Sequence, residues 1–263
     1  MYRFFFLLFS ILSINTYILS AQNIKKDLPV DGGEIFQCKN RTAFLIMPSS
    51  NLKSNDIPWV FYAPTLPGLP KEEGWLFQKL LDNGIAIAGI DVGESYGNPE
   101  GRQSFTDLYN ILTTKKKLSK KVSLLARSRG GLMLFNWAAE NPEKVLCIAG
   151  IYPVSNLLSY PGIEKASKAY GYSEKEFIKH LKENNPIDHL DKIIEYKIPM
   201  YYIHGDIDKT VPLKDNSAIM KARMDSLGGN MKLDIIKGQG HNLWDGWFHN
   251  EQLLNFILNN THE

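Results

Sequence analysis

The sequence predicts an α/β fold: a mostly parallel central sheet of about eight strands, helices on both faces, and a short helical insertion after strand 6. Three observations carry this. Strand-like and helix-like segments alternate from residue 59 onward, after an antiparallel start. The run Ile85-Ala86-Ile87-Ala88-Gly89-Ile90 is apolar without alternation, as a strand covered on both faces must be. Finally, Val122-Ser123-Leu124-Leu125-Ala126 leads through Arg127-Ser128-Arg129 directly into the apolar stretch after Gly130-Gly131, which puts a serine on a tight strand-to-helix turn.

The elements follow in order. Residues 34–38 and 42–47 read as two strands around the polar turn Lys39-Asn40-Arg41. A third strand over 59–62 ends at Pro64, and a helix over 73–81 stops at Asn83-Gly84. After the strand 85–90 come a helix over 103–113, the strand 122–126, and a helix from 129 to 140 that stops before Asn141-Pro142. A strand over 145–151 precedes the largely helical insertion 157–194, a candidate small lid. Then follow a strand over 200–203, a helix over 213–227, a strand over 232–236 and a closing helix over 247–258. Sites in such sheets gather at the carboxyl ends of the strands, so the loops after residues 62, 90, 126, 204 and 236 carry the interest.

Residues 1–21 stand apart. Met1-Tyr2-Arg3 opens with a positive charge, 4–12 are almost wholly apolar, and the segment ends at Ser20-Ala21-Gln22. This predicts a secretory signal peptide cleaved after Ala21 or one residue earlier, hence a secreted or periplasmic protein with no stable membrane insertion after cleavage. The apolar run falls short of the ~20 residues a bilayer requires. The remaining 22–263 fit one α/β domain. Hydrophobic content of 44%, charged content of 22% and a net charge of +2 are ordinary globular values and argue against nucleic acid as a partner. Lys115-Lys116-Lys117 reads as a solvated helix end. Cys38 and Cys147 fall in separate strands and are expected to stay unpaired. Asn40-Arg41-Thr42 and Asn259-Asn260-Thr261 match the glycosylation pattern, which matters only in a eukaryotic secretory pathway.

The turn at Ser128 has a chemical reading and a bland one. A nucleophile elbow needs small residues two before and two after the serine, because side chains there would collide inside the turn, and Ala126 and Gly130 supply them. The bland alternative is a serine capping the helix that follows. A serine hydroxyl becomes a nucleophile only when a base takes its proton and a third group orients that base. The loop after 200–203 reads His204-Gly205-Asp206-Ile207-Asp208-Lys209-Thr210-Val211-Pro212, and the loop after 232–236 reads Lys237-Gly238-Gln239-Gly240-His241-Asn242. Either Asp206 or Asp208 could supply the acid. His249 in the closing helix and His262 at the terminus also follow the acid loop, but His241 alone lies on a strand-end loop.

The order Ser, Asp, His, each after a parallel strand, is that of α/β-hydrolases. On Ala126-Arg127-Ser128-Arg129-Gly130, His204-Gly205 with Asp208 and Val211-Pro212, and Gly240-His241, the chain resembles an α/β-hydrolase fold serine hydrolase. It stands nearest to the prolyl-oligopeptidase-like and dienelactone-hydrolase-like esterase branches. The resemblance covers roughly 59–258. It implies that Asp208, three residues after the glycine, is the acid, with Asp206 a turn residue and His204 a support of the loop. It implies a Ser128–Asp208–His241 triad and an oxyanion hole of the backbone N–H groups of Arg129 and of Thr65 or Leu66, Pro64 having no N–H. Thr65 is the choice of the two. No H-G-G-G motif is present in that loop.

Substrate contacts are expected at Glu94 and Tyr96 after residue 90, at Arg127 and Arg129 beside the serine, and at Trp244 and Trp247 after His241. Glu94 could take a substrate amine or hydroxyl, or serve only its own turn. The arginines could meet an anionic acyl group, or form intramolecular salt bridges. The tryptophans offer flat faces to a sugar or aryl group, or pack into the core. With no compact H-E-x-x-H spacing, neither metal nor other cofactor is expected. The implied activity is cleavage of a small-molecule or carbohydrate ester through an acyl-enzyme. A prolyl-oligopeptidase-like peptidase is the alternative, and a non-catalytic α/β-hydrolase binding protein the reading from another class.

Overall fold

The computed structural model describes residues 28–49, 56–65 and 69–261. The expected signal peptide, Leu66 and His262 lie outside the described residues. Strands β1 (Glu34–Cys38) and β2 (Arg41–Ile46) form an antiparallel hairpin, and β2 pairs antiparallel with β4 (Ala86–Ile90). From there the sheet is parallel through β3 (Trp59–Ala63), β5 (Val122–Arg127), β6 (Val145–Ile151), β7 (Met200–Gly205) and β8 (Met231–Ile236). The spatial order is β1-β2-β4-β3-β5-β6-β7-β8, eight strands as expected.

Helices cover both faces. On one side lie α1 (Gly74–Asp82), α8 (Asp245–Phe248) and α9 (Glu251–Thr261), burying Leu76, Phe77, Trp247, Leu253 and Ile257 against Val60, Tyr62, Leu125 and Ile203. On the other lie α2 (Pro99–Lys115) and α3 (Gly130–Glu140), with α6 (Asp191–Glu195) and α7 (Ser217–Ser226). There Phe105, Leu108, Met133 and Trp137 meet Trp59, Phe61, Leu124 and Ile148. Every residue of β3 and β4 is buried, which is why neither strand alternates.

Two elements differ from the sequence reading. The helix expected over 103–113 starts earlier, at Pro99, because the Asn98 side chain caps it by accepting the Gly101 N–H at 2.8 Å. The expected closing helix is two. His249 leaves helical geometry, and Asn250 restarts the chain as α9 by accepting the Leu253 N–H at 2.9 Å. The insertion contains α4 (Ile163–Ala169), α5 (Glu174–Asn184) and α6. Its first part has a small core of its own with Tyr96, Leu132, Val154 and Val211, whereas Ile187, Leu190 and Ile193 join the main core.

Cys38 and Cys147 are free and buried. Four strands separate β1 from β6, about 24 Å at the usual interstrand spacing, far beyond disulfide reach. Among the described residues no helix is long and apolar enough to cross a membrane, and no cluster of three or more His, Cys, Asp or Glu could hold a metal ion.

Candidate active site

At the carboxyl end of β5 the chain turns into α3 within two residues. Ser128 holds a left-handed backbone, φ 50°, the strained conformation an elbow requires. The turn is pinned on each side: the Ser128 N–H donates to the Ile151 carbonyl at 3.0 Å, and the Ser128 carbonyl accepts from Val154 at 2.8 Å and Gly131 at 3.0 Å. Gly130 is obligatory for a reason beyond the turn. A Cβ there would lie 2.1 Å from the Ala63 carbonyl oxygen and 2.7 Å from the Pro64 nitrogen, so only glycine lets the β3 loop lie against the elbow.

Three strand-end loops bring Ser128, His241 and Asp208 into line. Ser128 Oγ lies 2.9 Å from His241 Nε2, and His241 Nδ1 lies 2.8 Å from Asp208 Oδ2. The other Asp208 oxygen accepts the N–H groups of Thr210 (2.9 Å) and Val211 (2.8 Å). Burial works against a charge at Asp208. Hydrogen bonds from His204, His241 and the Val211 N–H outweigh it and hold this carboxyl well below the usual carboxylate range. An ionised carboxylate can only accept, so Nδ1 carries the ring proton and Nε2 is left to accept the serine hydroxyl proton.

The two polar neighbours on the acid loop have other work. Asp206 Oδ1 accepts the Gly238 N–H at 2.6 Å and so ties the acid loop to the histidine loop. His204 is fully buried, with Nδ1 2.7 Å from Ser217 Oγ and Nε2 2.9 Å from the Val211 carbonyl. It braces the turn that presents Asp208. His249 stacks on Trp75 at 5.2 Å, away from the triad geometry.

Beside the serine lies a cleft of about 230 Å³ lined by Pro64, Thr65, Asp91, Val92, Gly93, Glu94, Arg129 and Met133. Among the described residues neither the Arg129 nor the Thr65 backbone N–H is bonded to a protein acceptor. Both therefore remain available to an oxyanion. Thr65 Oγ1 is buried without a hydrogen-bond partner.

The expected substrate contacts divide. Glu94 and Arg129 both reach the cleft, where Arg129 Nε pairs with Glu94 Oε1 at 3.0 Å. Tyr96 is buried against Tyr160 with φ 47°, and burial together with Glu94 pushes its hydroxyl up to about 12. It is part of the wall behind Glu94. Arg127 is a correction. Its side chain turns inward, pairs with the fully buried Glu73 at 2.9 Å and meets the Tyr62 hydroxyl at 3.1 Å, so it is not placed to meet an acyl group. Trp247 is fully buried, while Trp244 is 42% exposed.

Two participants were missed at the level of sequence. Tyr152, φ 36°, sets its ring 4.4 Å from that of His241 and donates its hydroxyl to the Asn242 carbonyl at 3.2 Å. Glu73 is the buried counter-charge behind the elbow. Neither sits in a recognisable motif.

The prolyl oligopeptidase family model matches residues 102–260, more than half of the chain. Among solved structures the chain is similar to a protein described as a dipeptidyl aminopeptidase IV of Bacteroides ovatus (TM-score 0.70, 16% identity). That match covers 88% of this chain and 35% of the other. It is also similar to Est1E from Butyrivibrio proteoclasticus (TM-score 0.67, 18% identity; 89% and 100% covered) and to a puromycin-hydrolyzing peptidase of Mycobacterium tuberculosis (TM-score 0.70, 14% identity; 87% and 39% covered). This chain thus spans little more than a third of either of the two larger proteins. At these identities the likenesses carry the fold. No curated protein matches the chain. The family match, with the eight-stranded α/β-hydrolase sheet, establishes that the chain belongs to the prolyl oligopeptidase family of serine hydrolases.

Proposed function

We propose that this chain is an exported serine hydrolase that cleaves a carboxylic ester through an acyl-enzyme, with an acyl or acetyl ester on a carbohydrate as the candidate substrate. His241 takes the Ser128 proton as Oγ attacks the ester carbonyl. Asp208 orients the imidazole and stabilises its charge, and the Arg129 and Thr65 N–H groups receive the oxyanion. The alcohol departs with the proton held on Nε2. Water, deprotonated by the same nitrogen, then releases the acid and restores Ser128.

The observation that carries this reading is the unbroken line of contacts from Ser128 Oγ through His241 to Asp208. It also weighs against a non-catalytic binding protein, in which such a line serves no purpose. An ester is preferred because its alcohol leaves readily, and the cleft beside the nucleophile can hold the acyl half. The peptidase alternative draws support from the family match and from the two similar peptidase structures. Export rests on residues 1–21.

A fluorophosphonate probe should label the folded protein and fail on Ser128→Ala. Absence of labelling on the folded wild type sinks the enzyme mechanism. Short p-nitrophenyl esters should be cleaved in preference to aminoacyl-p-nitroanilides, and the reverse order would select the peptidase.

A further inference from the structure

Trp244 has no part in the chemistry above, yet its indole is held with care. A Cβ on Gly246 would fall 2.1–2.4 Å from Cη2, Cζ2 and Cζ3 of the indole, so one face of the ring rests directly on the Gly246 backbone. Trp247 meets the ring edge-on, with centroids 5.6 Å apart at 86°. Trp247 is itself fixed. It is buried, packs edge-on against Tyr152 at 5.3 Å, and donates Nε1–H to Asn242 Oδ1 at 2.9 Å. The same Oδ1 accepts the Trp244 N–H at 3.3 Å, and the Asn242 carbonyl is held by Tyr152. A continuous line of aromatic contacts therefore runs from the His241 ring through Tyr152 and Trp247 to Trp244. The seated face is covered, and the indole remains 42% open to water.

Its location says which half of a substrate it would meet. The cleft with Thr65 and Arg129 lies on the oxyanion side of Ser128, where the acyl group must sit. In acyl transfer the histidine hands its proton to the departing alcohol, so the alcohol lies on the histidine side. Trp244 is three residues after His241, no more than about 11 Å away along the chain.

The chemistry of the alcohol follows from the shape of the platform. A flat aromatic face covers only one side of whatever lies on it. An alkyl chain would leave most of its surface in water there. A pyranose has one C–H face that can cover the indole, while its hydroxyls stay in water or reach the exposed side chains of Asn242 and Asp245. We infer that Trp244, seated on Gly246, is the stacking platform for a pyranose ring in the alcohol half of the ester. This rests on the reading of Ser128, His241 and Asp208 as an ester-cleaving triad.

The test compares three acetates on the full mature chain: a monoacetylated methyl pyranoside, vinyl acetate and phenyl acetate. Trp244→Ala and Gly246→Ala, which keeps the indole but displaces it, should each lower kcat/KM for the sugar ester relative to vinyl acetate by about tenfold or more, through KM. Trp244→Phe should restore most of that ratio. The phenyl-to-vinyl ratio should stay within about twofold. A sugar-to-vinyl ratio that does not move in Trp244→Ala and Gly246→Ala overturns the inference. So does a phenyl-to-vinyl ratio that falls equally, which would make the site an aryl platform. Wild type that hydrolyses vinyl acetate but not the sugar ester overturns this inference and leaves the hydrolase reading standing. Wild type inert to all three overturns both.

Discussion

Behind the elbow, Glu73 and Arg127 form an ion pair whose strength can be measured. Glu73 is fully buried, and the Arg127 side chain is 12% exposed. Oε1 of Glu73 takes both Arg127 and the Tyr62 hydroxyl, and Oε2 has no partner. Burial raises the Glu73 carboxyl, and Arg127 pulls it back toward the charged form. Glu73→Leu would take the paired carboxylate away from the buried guanidinium. Removing one member of a buried pair costs about 3–5 kcal/mol, because the remaining charge is uncompensated. For a domain of this size that corresponds to a fall in Tm of roughly 6–20 °C. Removing both charges in Glu73→Leu/Arg127→Leu should recover most of the loss, since apolar residues replace a buried pair at little cost. Urea unfolding of the wild type, both single variants and the double variant closes the cycle, with an expected coupling of about 2 kcal/mol or more. Glu73 follows the segment bearing Thr65 and Arg127 precedes Ser128, so fluorophosphonate labelling should slow in the single variants and partly recover in the double. A Glu73→Leu cost below about 1 kcal/mol, or a double variant no more stable than the sum of the singles, would refute the argument.

Other outcomes follow from single contacts. Asp208→Asn should lower kcat by about 10⁴-fold, because the amide can donate to Nδ1 and so favours the wrong imidazole tautomer. The Asp208 carboxyl is depressed in the fold, so its stabilising contribution is present above the unfolded value of about 3.9 and is lost as pH falls through the lower folded value. The stability gap between wild type and Asp208→Asn, read from urea melts, should be flat from pH 5 to 8 and shrink below about pH 4. Gly130→Ala should abolish labelling, since its Cβ meets backbone at Ala63 that cannot yield, whereas Ala126→Gly should cost no more than about 1 kcal/mol. Cys38 and Cys147 should react with a thiol reagent only on unfolding, and dithiothreitol should leave Tm unchanged.

Much of the fold was legible because its signals are local. The unbroken apolar strand at 85–90 means a sheet covered on both faces, and β4 is buried on both. Asn83-Gly84 and Asn141-Pro142 ended helices within a residue or two of where the structure ends them. The break at His249 was misread because helical periodicity resumes after it. The signal was Asn250-Glu251, an N-cap followed by an acidic first turn, overridden by the apolar count. Arg127 was half legible. A period of two along β5 puts it on the same face as Leu125, beneath α1 and α9. That a carboxylate waits there could not be read, because Glu73 lies far off in the chain and in no motif.

By itself the sequence determined the order of elements, the tight turn at Ser128 and the loops carrying Asp208 and His241. These depend on residue spacing, on small residues where backbones collide, and on where apolar runs stop. Tertiary structure decided which side chains share a space. Packing placed Tyr152 against His241, turned Arg127 onto Glu73, paired Arg129 with Glu94 and laid Trp244 on Gly246. The physical reason is that burial makes a polar or aromatic group's energy depend on its neighbours, and those neighbours come from strands and loops that only the closed sheet brings together.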